Sequence, residues 1–150
     1  MGIVGLGGIS RTHISCYKSM ADRVTLQAAA EINEDVLKKV CAEESIPQAY
    51  TDPVKMIREA DIDALTICMP PIMRAKLIRA AAERGIPVLC EKPLATTLEE
   101  ANEIEQIIAE HPIPLLVNFK MRQGENFQKI REFLQRPDVG KPLSIMCRYA

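Results

Sequence analysis

The sequence predicts an α/β fold with a doubly wound parallel sheet, and three observations carry that prediction. The apolar residues Ile3 and Val4 run directly into the closely spaced glycines Gly5, Gly7 and Gly8, and a helical pattern follows. A second apolar run ends in the acidic Glu31, close to the roughly 20-residue separation at which such a glycine turn is partnered by a carboxylate. Beyond it, short apolar runs alternate with helical stretches as far as Gly140. Parallel strands need crossovers, and right-handed helical crossovers produce a sheet covered on both faces.

Each element has its own local signal. Ile3 and Val4 read as a buried strand, Gly5 permits a tight turn, and Gly7 lets the backbone approach a pyrophosphate at the start of the next helix. Ser10 stands where a third glycine is usual and is small enough to keep that helix close to the strand. Ile9, His13, Cys16, Tyr17 and Met20 give the helix one face toward the sheet. Val24, Leu26, Ala28 and Ala30, alternating with Thr25, Gln27 and Ala29, predict the second strand. Asn33 caps a helix carrying Val36, Leu37, Val40 and Cys41, and Gln48, Ala49 and Tyr50 make a short third strand.

Asp52 followed by Pro53 is a cap with proline at the first helical position. Ala64 to Cys68 predicts the fourth strand, which Met69, Pro70 and Pro71 stop while opening a helix that ends at Gly85. Pro87 to Cys90 is the fifth strand and runs into Glu91, Lys92 and Pro93. Thr97 and Glu100 form a capping box for a helix with Leu98, Ala101, Ile104 and Ile108 as its apolar stripe. Leu115 to Val117 is the sixth strand. Phe127, Ile130, Phe133 and Leu134 mark a last amphipathic helix, and a new strand pattern begins at Leu143.

Composition excludes several functions. The chain has 150 residues and a net charge of −1 with both signs scattered, so it lacks the basic footprint of a nucleic-acid binder. No apolar run approaches a bilayer-spanning length, and the first residues enter a strand with no cleavable segment, which predicts a cytoplasmic protein without a membrane partner. The five cysteines, Cys16, Cys41, Cys68, Cys90 and Cys147, are irregularly spaced and have only His13 and His111 beside them, so no metal site is expected. A chain of this length can bury roughly 68–70% of its unfolded surface without staples.

The glycines and Glu31 together specify the ligand class. A carboxylate at the end of the second strand can accept hydrogen bonds from both hydroxyls of an adenosine ribose, and it repels a 2′-phosphate. NAD is therefore expected in preference to NADP. Alone, Glu31 would be equally consistent with a solvated charge at a strand end.

The chain resembles the N-terminal half of the Gfo/Idh/MocA oxidoreductase family. The resemblance rests on Gly5, Gly7, Gly8 and Ile9, on Glu31 before Ile32 and Asn33, on Asp61 and Asp63 ahead of the fourth strand, on Pro70 and Pro71 after it, and above all on Glu91, Lys92 and Pro93. It implies a Rossmann-type domain over residues 1–120 and, over 121–150, a connecting helix with only the first strand of a following α+β substrate domain. The activity it implies is hydride transfer between nicotinamide and a secondary alcohol or carbonyl of a sugar, cyclitol or related polyol, in a full-length protein that is a homo-oligomer.

By the same resemblance the cofactor contacts are Gly5, Gly7, Gly8, Ile9, Glu31, Met69, Pro70, Pro71, Glu91, Lys92 and Arg122, and Lys92 is also the catalytic residue. The family's aspartate and histidine for proton transfer lie in the second domain, so the 150-residue chain is expected to bind cofactor without turning over. Arg74 replaces a histidine common in the family, and Asn118, Phe119, Lys120, Met121 and Arg122 replace its usual sequence after the sixth strand. Two other functions stay open at this point: an NAD-dependent glycosidase of the same family, and a non-catalytic NAD-binding or sensor module.

Overall fold

The computed structural model describes residues 1–146 and Arg148. They form two compact units, divided between Asn118 and Phe119. The first unit holds six parallel strands: β1 (Gly2–Val4), β2 (Ala28–Ala30), β3 (Gln48–Tyr50), β4 (Leu65–Ile67), β5 (Val88–Cys90) and β6 (Leu115–Val117). They are ordered β3-β2-β1-β4-β5-β6. That order reverses direction between β1 and β4, the place where open α/β sheets bind ligands. The connecting helices are α1 (Gly8–Lys18), α2 (Glu34–Glu44), α3 (Pro53–Glu59), α4 (Arg74–Glu83) and α5 (Leu98–Glu110).

Strand residues divide between two cores according to the side chain's direction. Val4, Ala28, Ala30, Leu65, Ile67 and Val88 pack with Met56, Ile57, Leu77, Ile78, Ile104 and Ile107 of α3, α4 and α5. Ile3 and Ala29 face the other way, onto Ile14, Leu37 and Cys41 of α1 and α2. Thr66, paired in register with Ile3, is fully buried among them. Its hydroxyl meets Tyr17 Oη at 2.5 Å, which satisfies both groups and pins α1 to β4.

Several local signals act as the sequence predicts. Asn33 accepts the backbone N–H groups of Asp35 and Val36, and Asp52 those of Val54 and Lys55. Gly85 follows α4 with φ +69°, the left-handed conformation expected just past a helix end.

Other elements differ from expectation. The buried face of α1 is Ser10, His13, Ile14 and Tyr17, whereas Ile9, Cys16 and Met20 are exposed. β2 is confined to three alanines, because a strand covered by helices on both faces shows no alternation. Pro71 opens a short 3-10 turn, Pro71–Met73, before α4 starts at Arg74. In α5 the buried stripe is Ile104 and Ile107, and Leu98 is exposed. Thr97 Oγ1 accepts the Glu100 N–H at 3.2 Å as a capping box requires, but the Glu100 carboxylate reaches back to the N–H of Thr96, one residue earlier than the box has it.

The second unit contains a 3-10 turn, Lys120–Gln123, and α6 (Glu125–Leu134). Phe127, Ile130 and Phe133 form an exposed apolar stripe along α6. Residues 141–146 contain no strand, so the pattern expected from Leu143 is not formed there. Cys147 and Tyr149, part of the strand expected there, lie outside the described residues.

Candidate functional site

A cleft of about 420 Å³ opens at the C-terminal ends of β1, β2 and β4. Gly5, Gly7, Glu31, Ile32, Met69 and Pro70 are among the residues that line it. Gly5 has φ +83°, and a Cβ there would lie 3.1 Å from the carbonyl carbon and oxygen of Cys68. The chain can turn between β1 and α1 only with glycine at this point.

Gly7 is different. Its φ of −72° is open to any residue, yet α1 starts from it with no side-chain cap. A Cβ on Gly7 or Gly8 would meet nothing within 4 Å. The two glycines therefore leave free space above the first turn of a helix whose N–H groups lack intrahelical acceptors, an arrangement that receives a phosphate.

Glu31 closes the opposite side of the turn. Its Oε2 accepts the Leu6 backbone N–H at 2.8 Å, and its Oε1 accepts that of Asn33 at 3.1 Å. Each oxygen keeps a further lone pair for a hydroxyl donor. Ile32, 86% exposed, stands on the rim as an apolar platform. Space for a phosphate, a fixed acceptor and an apolar ledge within one cleft fit a dinucleotide.

At the end of β5, Glu91 is buried and its carboxylate points inward. Oε1 accepts from Asn118 Nδ2 at 2.6 Å and lies 2.8 Å from His13 Nε2, and Oε2 accepts the Lys92 N–H at 3.2 Å. Burial alone would raise the Glu91 pKa, but the donors of Asn118, His13 and Lys92 more than offset it and hold the carboxyl below its ordinary range. Lys92 itself is exposed, and the Lys92–Pro93 peptide is cis.

His13 and Asn118 are the site residues that sequence reasoning missed. His13 sits on the helix face read as apolar, where a buried imidazole needs a polar partner. The glutamate of the Glu91, Lys92, Pro93 motif supplies it.

The residues expected to act together are only partly brought together. Gly5, Gly7, Glu31, Met69 and Pro70 share the cleft, with Gly8 and the half-exposed Ile9 following in α1 and Pro71 starting the 3-10 turn. Glu91 and Lys92 lie beyond β5, while Arg122 belongs to the second unit, exposed on its 3-10 turn. Cys68 and Cys90 are buried thiols, pushed by burial to pKa values of about 12 and about 11, and so are unreactive packing residues.

Known proteins place the chain among oxidoreductases. It is 30% identical over 142 residues to a myo-inositol 2-dehydrogenase of Thermotoga maritima, covering 95% of this chain and 42% of that protein. The fold matches that of a scyllo-inositol dehydrogenase from Lactobacillus casei with bound NAD(H) and scyllo-inositol, at a TM-score of 0.85 and 26% identity. This match covers 93% of the present chain and 41% of that one. A WlbA dehydrogenase from Bordetella pertussis shares the fold at a TM-score of 0.86 and 24% identity. The chain thus spans less than half the length of the relatives it matches. The family model described as "Oxidoreductase family, NAD-binding Rossmann fold" matches residues 1–119, and the chain belongs to that family, Gfo/Idh/MocA, through its NAD-binding domain.

Proposed function

We propose that the chain is the cofactor-binding half of an NAD-dependent oxidoreductase acting on a secondary alcohol or carbonyl of a polyol, with cyclitols the favoured class. The observation that carries this reading is the cleft, where the open space over Gly7 and Gly8 and the fixed Glu31 carboxylate face one another at the sheet's switch point. Inositol dehydrogenases among the relatives support the substrate class. Those relatives are dehydrogenases, which favours redox chemistry over the glycosidase alternative.

Each residue then has a role. Gly5 turns the chain, and Gly7, Gly8 and Ile9 present backbone N–H groups to the pyrophosphate. Glu31 accepts from the ribose hydroxyls and disfavours a 2′-phosphate, so NAD is preferred to NADP. Met69, Pro70 and Pro71 wall the nicotinamide side. When bound, NAD supplies the hydride chemistry. Lys92 donates a hydrogen bond to the reacting oxygen and stabilises charge on it. Glu91 serves the site from beneath, by holding the Lys92 backbone. Arg122 is assigned to the cofactor on the family resemblance alone. Residues 1–120 form the cofactor domain, and 121–150 lead toward a substrate domain.

Calorimetric titration of the chain with NAD and NADP tests the cofactor assignment, and NAD should bind the tighter. Joined to a substrate domain, the protein should reduce NAD in the presence of an inositol. Equal binding of both cofactors removes the role of Glu31, and binding of neither removes the whole reading.

A further inference from the structure

Arg74 is the largest of the fully buried side chains, only 1% exposed. Its Nη2 donates to the Met69 carbonyl at 2.7 Å, while Nε and Nη1 have no hydrogen-bond partner among the described residues. It stands in the first turn of α4, where the helix dipole disfavours a cation. Glu100, whose carboxylate feels its charge, spends an oxygen on the N–H and hydroxyl of Thr96.

Each of these features costs stability. A buried cation with unspent donors is commonly worse for folding than an apolar side chain of the same volume. Arginine is thus a poor choice for the core as such, and its value has to lie in the one group it holds. That group belongs to the cleft. Met69 and Pro70 line it, and Pro70 and Pro71 have no N–H with which to anchor this stretch. The Met69 carbonyl is the available handle, and Arg74 grips it from inside.

We propose that Arg74 is a positioning residue whose guanidinium, through the Met69 carbonyl, holds the wall of Met69, Pro70 and Pro71 in the shape that receives the nicotinamide half of the cofactor. This rests on the reading of the cleft as an NAD site. The prolines restrict φ within the wall, but the carbonyl before them sets where the wall stands. A residue that loosens it changes the nicotinamide end and leaves the adenosine and pyrophosphate contacts at Gly7 and Glu31 alone.

The test compares NAD with ADP-ribose, which lacks only the nicotinamide, in the unsubstituted chain and in Arg74→Met and Arg74→Lys. Arg74→Met should leave the melting temperature unchanged or raise it, weaken NAD about tenfold and leave ADP-ribose within about twofold. Arg74→Lys, whose ammonium has nearly the reach of the guanidinium and can still donate to the carbonyl, should recover most of the NAD affinity. An unchanged ratio of NAD to ADP-ribose affinity in Arg74→Met overturns the proposal. So does a joint fall of melting temperature and both affinities, which marks an ordinary structural role. If the unsubstituted chain binds neither ligand, the NAD reading of the cleft fails first and takes this proposal with it.

Discussion

His13 Nε2 lies 2.8 Å from Glu91 Oε1, joining the helix that begins at the glycine turn to the residue preceding Lys92. The two are 78 positions apart in the chain and both buried. Asn118, just beyond β6, donates to the same oxygen. One carboxylate therefore ties together α1 and the ends of β5 and β6, and its other oxygen accepts the backbone N–H of Lys92.

The pH dependence of stability follows from that carboxylate. The Glu91 pKa is lowered in the folded chain relative to its ordinary value of 4.5, so between the two values the unfolded chain binds more protons. Stability from Glu91 is present above about pH 4.5 and lost as pH falls through the folded value. Glu91→Gln should melt lower at neutral pH and show a flatter acid limb than the unsubstituted chain. Thermal melts from pH 7 to 3 measure it. Parallel acid limbs in the two proteins would exclude this linkage.

Glu31 is fixed before any cofactor arrives, through Leu6 and Asn33. Glu31→Ala should weaken NAD by about ten- to a hundredfold, the equivalent of one charge-assisted hydrogen bond worth roughly 1.5–3 kcal/mol. Glu31→Gln should fall between, because one amide oxygen can replace only part of the acceptor set and the amide no longer repels a 2′-phosphate. Calorimetry with both cofactors should show the NAD preference narrowing in each variant. An unchanged NAD affinity in Glu31→Ala removes Glu31 from the site.

Much of this site is legible in the sequence because its parts are local. Gly5, Gly7 and Glu31 act through turn geometry and a strand end, and Asn33 and Asp52 cap helices through N–H groups two and three residues away. What the sequence hides is long-range. His13 looks like one more position on a helix face until its partner 78 residues on is known. In the sequence Arg74 stands out only as the residue in place of a histidine common in the family, and its burial and its hydrogen bond to the Met69 carbonyl are visible only in the fold. The stripe on α1 keeps His13 and Tyr17, but Ser10 and Ile14 take the core positions that hydrophobicity alone would give to Ile9 and Cys16.

Lys92 is separable from cofactor affinity. Lys92 is exposed, and the cleft proposed for the dinucleotide is lined by other residues. Lys92→Met in the chain should leave NAD affinity within about threefold, whereas in a protein joined to its substrate domain the same change should cost about 10²–10³ in turnover. Retained turnover would disprove the catalytic assignment, and a large loss of NAD affinity would make Lys92 a cofactor ligand instead.

The glycines of the turn should divide into one that folds the chain and two that admit the ligand. Gly5 combines φ +83° with carbonyl and amide atoms of Cys68 and Met69 that a Cβ would meet at 3.1 Å. Alanine there meets both backbone strain and a rigid neighbour, so Gly5→Ala should lower stability by about 1–3 kcal/mol and reduce NAD binding along with it. Gly7→Ala and Gly8→Ala face no such conflict, since a Cβ at either position points into open space. Gly8 is the first residue of α1, where alanine is the better helix former. The fold should accept both changes, with Gly8→Ala melting no lower than the unsubstituted chain. The added methyl groups would nevertheless stand where the pyrophosphate must approach the N–H groups of the helix. NAD affinity should therefore drop at least tenfold in Gly7→Ala at undiminished stability. Thermal melts and NAD titrations on the three variants measure both quantities. Full NAD affinity in Gly7→Ala and Gly8→Ala would show that the space above α1 is not where the phosphates bind.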